Sequence, residues 1–345
     1  MCCVSKQSAL AKLLRVARLI IWDEAPMSRK QHVEALDKML RDINDSELTF
    51  GGKVVVFGGD FRQVLPVVRK GTRQEHVDAS LVSSYLWPTL IKFHLTENMR
   101  ARLDPAFSEY VLGLGNGMPP ITVDETIKIP DGMLVPYEDD CTSLDHLIDV
   151  VFHDIHEYSV NISAMMNRAI LTPKNSYVDE INALLIHRFP GELKRYYSFD
   201  EAIDASEQSV MEDFLNTLTP NGLPPHEFGF PFKRTQFPIR LSFAMTINKS
   251  QGQTLDFVGI YLPQPVFSHG QLYVALSRAK TASTLRILLR PVSIERSEKN
   301  CTKNIYKRLE NQNDCGREIT QANRTTLTSE GNRLQATIFD KDIDS

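Results

Sequence analysis

The sequence predicts an α/β protein built on parallel sheets, and three features of it carry that expectation. Short apolar runs, among them Leu19–Trp22, Lys53–Phe57 and Val258–Leu262, read as buried strands, because a strand covered on both faces is near-continuously apolar. Helical patterns lie between such runs, the alternation that parallel connections require. Two of the runs stop abruptly at carboxylates or glycines, and open α/β sheets bind ligands at the carboxyl ends of their strands.

Composition narrows the class. A chain of 345 residues has room for about two domains, and 42% hydrophobic with 24% charged residues describes a globular protein. No apolar run reaches the ~20 residues that span a bilayer, and MCCVSKQSALAKLL lacks a secretory apolar core, so an intracellular protein without a membrane segment is expected. Five scattered cysteines, Cys2, Cys3, Cys141, Cys301 and Cys315, show neither zinc spacing nor a disulfide framework. The formal charge of −4 gives no general attraction to nucleic acid, although a local basic groove suffices to grip a single strand.

Taken in order, Leu10, Leu13, Leu14 and Ala17 fall at helical spacing ahead of the first strand. That strand ends on Asp23 and Glu24, with Pro26 beyond. One carboxylate there suits Mg²⁺, which takes oxygen ligands and keeps several waters, and the other suits a proton acceptor for an attacking water. This is the Walker B arrangement of a nucleotide hydrolase; the competing reading is that both acids cap the next helix. Ser28 to Ile43 sets Val33, Leu36, Met39, Leu40 and Ile43 on one helix face.

A second strand, Lys53–Phe57, runs into Gly58-Gly59-Asp60-Phe61-Arg62-Gln63. Gln63 is suited to orient a water or touch a terminal phosphate, while Gly-Gly-Asp is also ordinary turn composition. The strand Ile91–Leu95 closes on Arg100, either a solvated charge or a planar donor for phosphate. Gly113 to Pro136 is rich in Gly, Pro and acids and reads as a domain boundary. Beyond it come a strand and turn at Ala169–Asn175, a helix through Ile181, Leu184 and Leu185, and a polar stretch, Ser198–Pro225, read as one helix and a loop. The last dense block runs from Phe237 through Thr246-Ile-Asn-Lys-Ser-Gln-Gly-Gln-Thr-Leu255, a strand at Val258–Leu262, a helix at His269–Ala279 and a strand at Leu285–Leu289. The expected divisions are 1–120, a linker at 121–150, 151–292, and a polar tail at 293–345 without order.

IIWDEAPM, VFGGDFRQVLPV, LTENMR, AILTPKN, INKSQGQTL and LYVALSRAK, in this order, resemble the petite-integration-frequency (PIF-type) DNA helicases of superfamily 1B, and most of all their plant branch, related to the helicases of Helitron transposons. The resemblance implies a P-loop NTPase fold with two RecA-like domains. It also implies ATP hydrolysis coupled to 5′ to 3′ movement along single-stranded DNA and unwinding of forked DNA, in repair, recombination, replication or telomere maintenance. A monomer is expected, in the nucleus or the mitochondrion. By the same resemblance Asp23 holds Mg²⁺ and Glu24 is the base. Gln63 senses the γ-phosphate, Arg100 and Arg278 are arginine fingers, and Gln251 and Gly252 adjoin the nucleotide. Thr172, Asn175, Lys249 and Ser250 face DNA.

The chain departs from that pattern twice. No G-x-x-x-x-G-K-[ST] loop, the backbone cradle for phosphates, occurs in it. The long insert that relatives carry before Phe237-Pro-Ile-Arg is reduced to a few residues near 226–236. Both RecA-like domains are therefore expected to be incomplete, which opens the alternative of an inactive remnant that binds DNA or a partner. A metal-dependent nuclease would leave Arg100, Arg278 and the Gln251-Gly252 pair unexplained.

Overall fold

A computed structural model describes residues 4–68, 71–95, 97–118, 126–153, 155, 158, 166–190, 199–202, 232–235, 242–291, 300–305 and 336–339. In chain order its elements begin with α1 (Ala9–Val16), β1 (Leu19–Trp22), α2 (Lys30–Asn44), β2 (Val54–Phe57), α3 (Arg73–Ala79) and β3 (Ile91–His94). Then come α4 (Pro105–Gly115), β4 (Thr126–Lys128), α5 (Asp140–Val151), β5 (Arg168–Thr172), α6 (Asn175–Arg188), β6 (Phe199–Ala202) and β7 (Phe232–Thr235). The remainder are β8 (Ala244–Thr246), β9 (Phe257–Leu262), α7 (Gln271–Leu276), β10 (Leu285–Leu289), β11 (Cys301–Lys303) and β12 (Ala336–Phe339).

Two parallel four-stranded sheets result. The first has the order β1-β2-β12-β3, the second β10-β9-β5-β8. Strands of the first sheet are short, and among the described residues only one of its faces is well covered. Ile20, Trp22, Val55 and Phe57 alternate onto the face that packs with Val33 and Leu40 of α2 and with Phe50, Leu81 and Trp87. The opposite face keeps Leu19 at 51% and Ile21 at 68% exposure, and the register puts the exposed Ile91 and Phe93 on that same side. β1 is therefore half open, not the strand buried on both faces that its composition suggested.

The second sheet is covered on both faces. Leu144, Leu147, Ile148 and Val151 of α5, with Val178, Ile181 and Leu185 of α6, pack on Ile170, Tyr261 and Leu288. Ala169, Leu171, Val258, Ile260 and Ile287 turn to the other side and meet Leu272, Val274 and Leu276 of α7 and Phe107 and Leu114 of α4. Here continuous apolar strands do mean two covered faces.

Two expectations about organisation need correction. The region 121–150, read as a linker, supplies β4 and most of α5, whose apolar face is core of the second sheet. Gly and Pro around it mark its bends, while Asp139 caps the helix that follows. The tail, expected mostly without order, is described only at 300–305 and 336–339, where β11 lies antiparallel to β4 and β12 lies between β2 and β3, parallel to both. A strand flanked on both sides needs backbone pairing more than apolar content, so Asn-rich surroundings hid it. Of the polar stretch Ser198–Pro225, only 199–202 lies within the described residues, as β6 paired antiparallel with β7. No described helix is long and apolar enough to cross a membrane.

Candidate nucleotide cleft

β1 delivers Asp23 and Glu24 to the carboxyl edge of the first sheet, where the turn is tied to the neighbouring strand. Gly58 N donates to Trp22 O at 3.0 Å and Ala25 N to Gly58 O at 2.9 Å. Glu24 adopts φ 53°, ψ 37°, a left-handed conformation that costs a residue with a side chain about 1–3 kcal/mol. Its N–H donates to Asp23 Oδ1 at 2.9 Å. Neither carboxylate caps α2, whose N-cap is Arg29. Glu24 Oε2 instead accepts from Gln251 Nε2, at 2.9 Å, across the space between the sheets.

The loop after β2 is folded by Asp60. Its Oδ1 accepts from Arg62 N at 2.9 Å and Arg62 Nε at 2.8 Å, and its Oδ2 from the Tyr273 hydroxyl at 2.7 Å. The Arg62 guanidinium lies 5.8 Å from the Tyr273 ring centroid. His269 Nε2 meets Phe61 O at 2.9 Å. Gly270, at φ +71°, approaches so closely that a Cβ there would stand 2.3 Å from Arg62 O. Loop 60–63 and the start of α7 are thus one packed unit, and Gln63 is buried within it, its Oε1 without a hydrogen-bond partner among the described residues.

Arg100 and Arg278 reach the same region from opposite sides. Arg100 Nε donates to Thr254 Oγ1 at 2.9 Å and its Nη1 to Ser277 O at 3.0 Å. Arg278 is 2% exposed; it donates to Val274 O at 3.0 Å, Gln253 O at 2.9 Å, Ser250 O at 3.4 Å and Ser277 Oγ at 2.9 Å. A cavity between the two sheets is lined by Gln63, Arg100 and Arg278, with Arg62, Asn98 and Tyr273. Three of the expected catalytic side chains, from segments far apart in sequence, therefore share one cavity wall. Asp23 and Glu24 are not part of that wall.

The expected DNA contacts divide. Asn175, at the start of α6, and Lys249 are exposed. Thr172 and Ser250 are wholly buried. Thr172 ends β5 inside the sheet, and the Ser250 hydroxyl closes its own turn on Ile247 O at 2.8 Å. Gly252 is exposed at φ +79°, where a Cβ would stand 3.7 Å from Glu24 Oε1. Asp60, His269, Tyr273 and Thr254 were not singled out from the sequence. His269 precedes the left-handed Gly270 cap and lies outside α7, so helical spacing does not tie it to Tyr273.

No group of three His, Cys, Asp or Glu side chains comes together among the described residues. Asp23, an exposed oxygen donor at the sheet edge, still fits Mg²⁺, which is commonly held by one or two carboxylates with phosphate and water.

Parallel sheets flanked by helices give an α/β fold of the P-loop NTPase type, and comparison with solved structures agrees. The structure resembles the Pif1 helicase from Candida albicans, with a TM-score of 0.55 and 18% identity over 83% of this chain and 76% of that one. It also resembles the Bacteroides Pif1 solved in complex with ADP-AlF3 and ssDNA, with a TM-score of 0.55 and 22% identity over 82% and 73%. More narrowly, parts of the chain are similar to PIF1-like helicases. Residues 1–124 match the PIF1-like helicase family, and residues 233–315 match a second family described as a helicase. The ATP-dependent DNA helicase Pif1 of Campylobacter jejuni is 26% identical over 336 residues, covering 82% of this chain and 72% of that protein. PIF1 of Danio rerio is 26% identical over 325 residues, but the chain spans only 46% of its length.

Proposed function

We propose that this chain is the core of an ATP-dependent DNA helicase, in which hydrolysis in the cleft between the two sheets drives 5′ to 3′ movement along single-stranded or forked DNA. The observation that carries this reading is the cavity lined by Gln63, Arg100 and Arg278, with Glu24 tied to the same side of the cleft through Gln251. In the reaction, water attacks the γ-phosphorus, the bond to the bridging oxygen breaks, and Glu24 accepts the proton. The guanidinium groups of Arg100 and Arg278 neutralise charge on the transferred group, exchanging their present carbonyl and hydroxyl acceptors for phosphate oxygens. Gln63, buried with a free acceptor atom, suits a terminal phosphate or its attacking water. Asp23 would hold Mg²⁺, which when bound offsets phosphate charge. Lys249 and Asn175 are the exposed side chains offered to DNA. The similarity to ATP-dependent DNA helicases is the ground for a role in DNA repair or recombination.

A second reading, a non-catalytic remnant, is favoured by one observation: the 345 residues contain no G-x-x-x-x-G-K-[ST]. Without that cradle, affinity for Mg·ATP falls sharply. Single-stranded-DNA-stimulated ATP hydrolysis by the purified chain, with Glu24→Gln as the control, separates the two. Stimulated turnover abolished in Glu24→Gln supports the helicase core. A folded chain with neither turnover nor nucleotide binding supports the remnant.

A further inference from the structure

Residues 250–255 form a strap across the cleft. Arg278 fixes it through Ser250 O and Gln253 O, Leu255 N donates to Arg278 O at 3.0 Å, and Arg100 takes Thr254 Oγ1 from the side of the first sheet. Between those anchors the strap turns at Gly252, and Gln251 puts its amide on the carboxylate that hydrolysis requires. That arrangement is costly in itself. Gln251 Oε1 is buried with no hydrogen-bond partner among the described residues, and an orphaned amide oxygen gives up its hydration for nothing. The contact thus holds a base in a capped state and carries a built-in reason to let go. Immediately before the strap stands Lys249, exposed, on the same 3-10 turn as Ser250.

We propose that the Gln251–Glu24 hydrogen bond is an autoinhibitory latch: it blocks Glu24 from accepting a proton in the resting chain, and DNA phosphate drawn to Lys249 shifts the strap and releases it. This rests on the reading of Glu24 as the general base, and it locates DNA stimulation in one side-chain contact. A carboxylate oxygen that already accepts an amide N–H is a poorer proton acceptor and is sterically covered. Release leaves Glu24 open and lets Gln251 Oε1 reach water.

A test that does not need turnover is carbodiimide labelling of Glu24, read by peptide mass spectrometry against its exposed neighbour Asp23. In the wild-type chain Glu24 is expected to label about tenfold more slowly than Asp23, the scale of one charged hydrogen bond, and to speed up when oligo-dT is added. In Gln251→Ala it labels fast with or without DNA, while Gln251→Asn, which keeps the amide on a shorter arm, falls between. Equal labelling of Glu24 and Asp23 in the wild type overturns the latch. So does a Glu24 rate that Gln251→Ala raises but DNA does not. In the hydrolysis assay the latch raises DNA-independent turnover in Gln251→Ala and flattens stimulation, whereas a merely structural role lowers both. If no turnover is seen with any variant, the labelling still decides whether Gln251 covers Glu24 and DNA uncovers it, while the hydrolase reading and the inhibitory role that rests on it fail.

Discussion

Asp23, Glu24, Gln63, Arg100 and Arg278 stand out in the sequence because each closes a short apolar run or sits in a run of recognisable residues. What the sequence hid is how they are held, Arg100 and Arg278 by backbone carbonyls and hydroxyls and Glu24 by Gln251. Arg278 looks in one dimension like a free finger; in three it is a buried guanidinium with four acceptors, satisfied as a buried charge must be. Tyr110 shows the reverse. Its hydroxyl is buried without a partner among the described residues, and burial pushes its pKa up to about 12. Tyr110→Phe removes that hydroxyl at no cost in packing and is expected to stabilise the chain by roughly 1 kcal/mol, read from urea unfolding. Gly270 is the opposite kind of site. A methyl group there meets Arg62 O and Gln63 O and must also adopt a positive φ, so Gly270→Ala is expected to cost about 2–4 kcal/mol and to loosen loop 60–63. Protease cleavage within 58–66 measures the loosening.

Strand positions followed from apolar runs, yet how many faces each strand buries did not. β9 and β1 read alike in sequence, and only β9 is covered on both sides. The difference lies in what packs against them, information distributed over α5, α6 and α7 rather than held in the strand. α5 itself was hidden by the Gly- and Pro-rich residues before it, although its start carries a plain signal. Asp139 accepts from Cys141 N and Thr142 N, both at 2.9 Å. Those backbone donors, Thr142 first, hold the Asp139 carboxyl below its ordinary value. A carboxyl depressed in the folded state contributes stability that is present above its unfolded pKa of 3.8 and is lost as pH falls through the lower folded value. Asp139→Asn keeps a capping oxygen that does not titrate. Its acid unfolding curve, followed by helical circular dichroism, is expected to lose part of the pH dependence below about pH 4.

At the scale of the whole molecule, two sheets meet at a cleft pinned by Arg100, His269 and Tyr273, and the first sheet is completed by a strand from the far end of the sequence. Parallel order was expected; a strand at Ala336–Phe339 was not, because nothing in four residues distinguishes a pairing strand from a polar tail. Thr337 pairs with Phe57 on one side and Lys92 on the other, so a proline there deletes a ladder donor in a flanked strand. In Thr337→Pro the fluorescence of Trp22 and Trp87, which both pack in the first core, is expected to change at lower urea than the secondary structure of the second sheet; coincident transitions would show that β12 is dispensable. The position of β12 also sets a schedule. A ribosome adding about 5–20 residues per second delivers β3 on the order of ten to fifty seconds before β12. Throughout that interval β2 and β3 await their shared neighbour while the second sheet emerges and folds. Nascent chains on one polysome would then each display an unfilled gap and, soon after, the strand that fits it, and exchange between copies competes with closure within one.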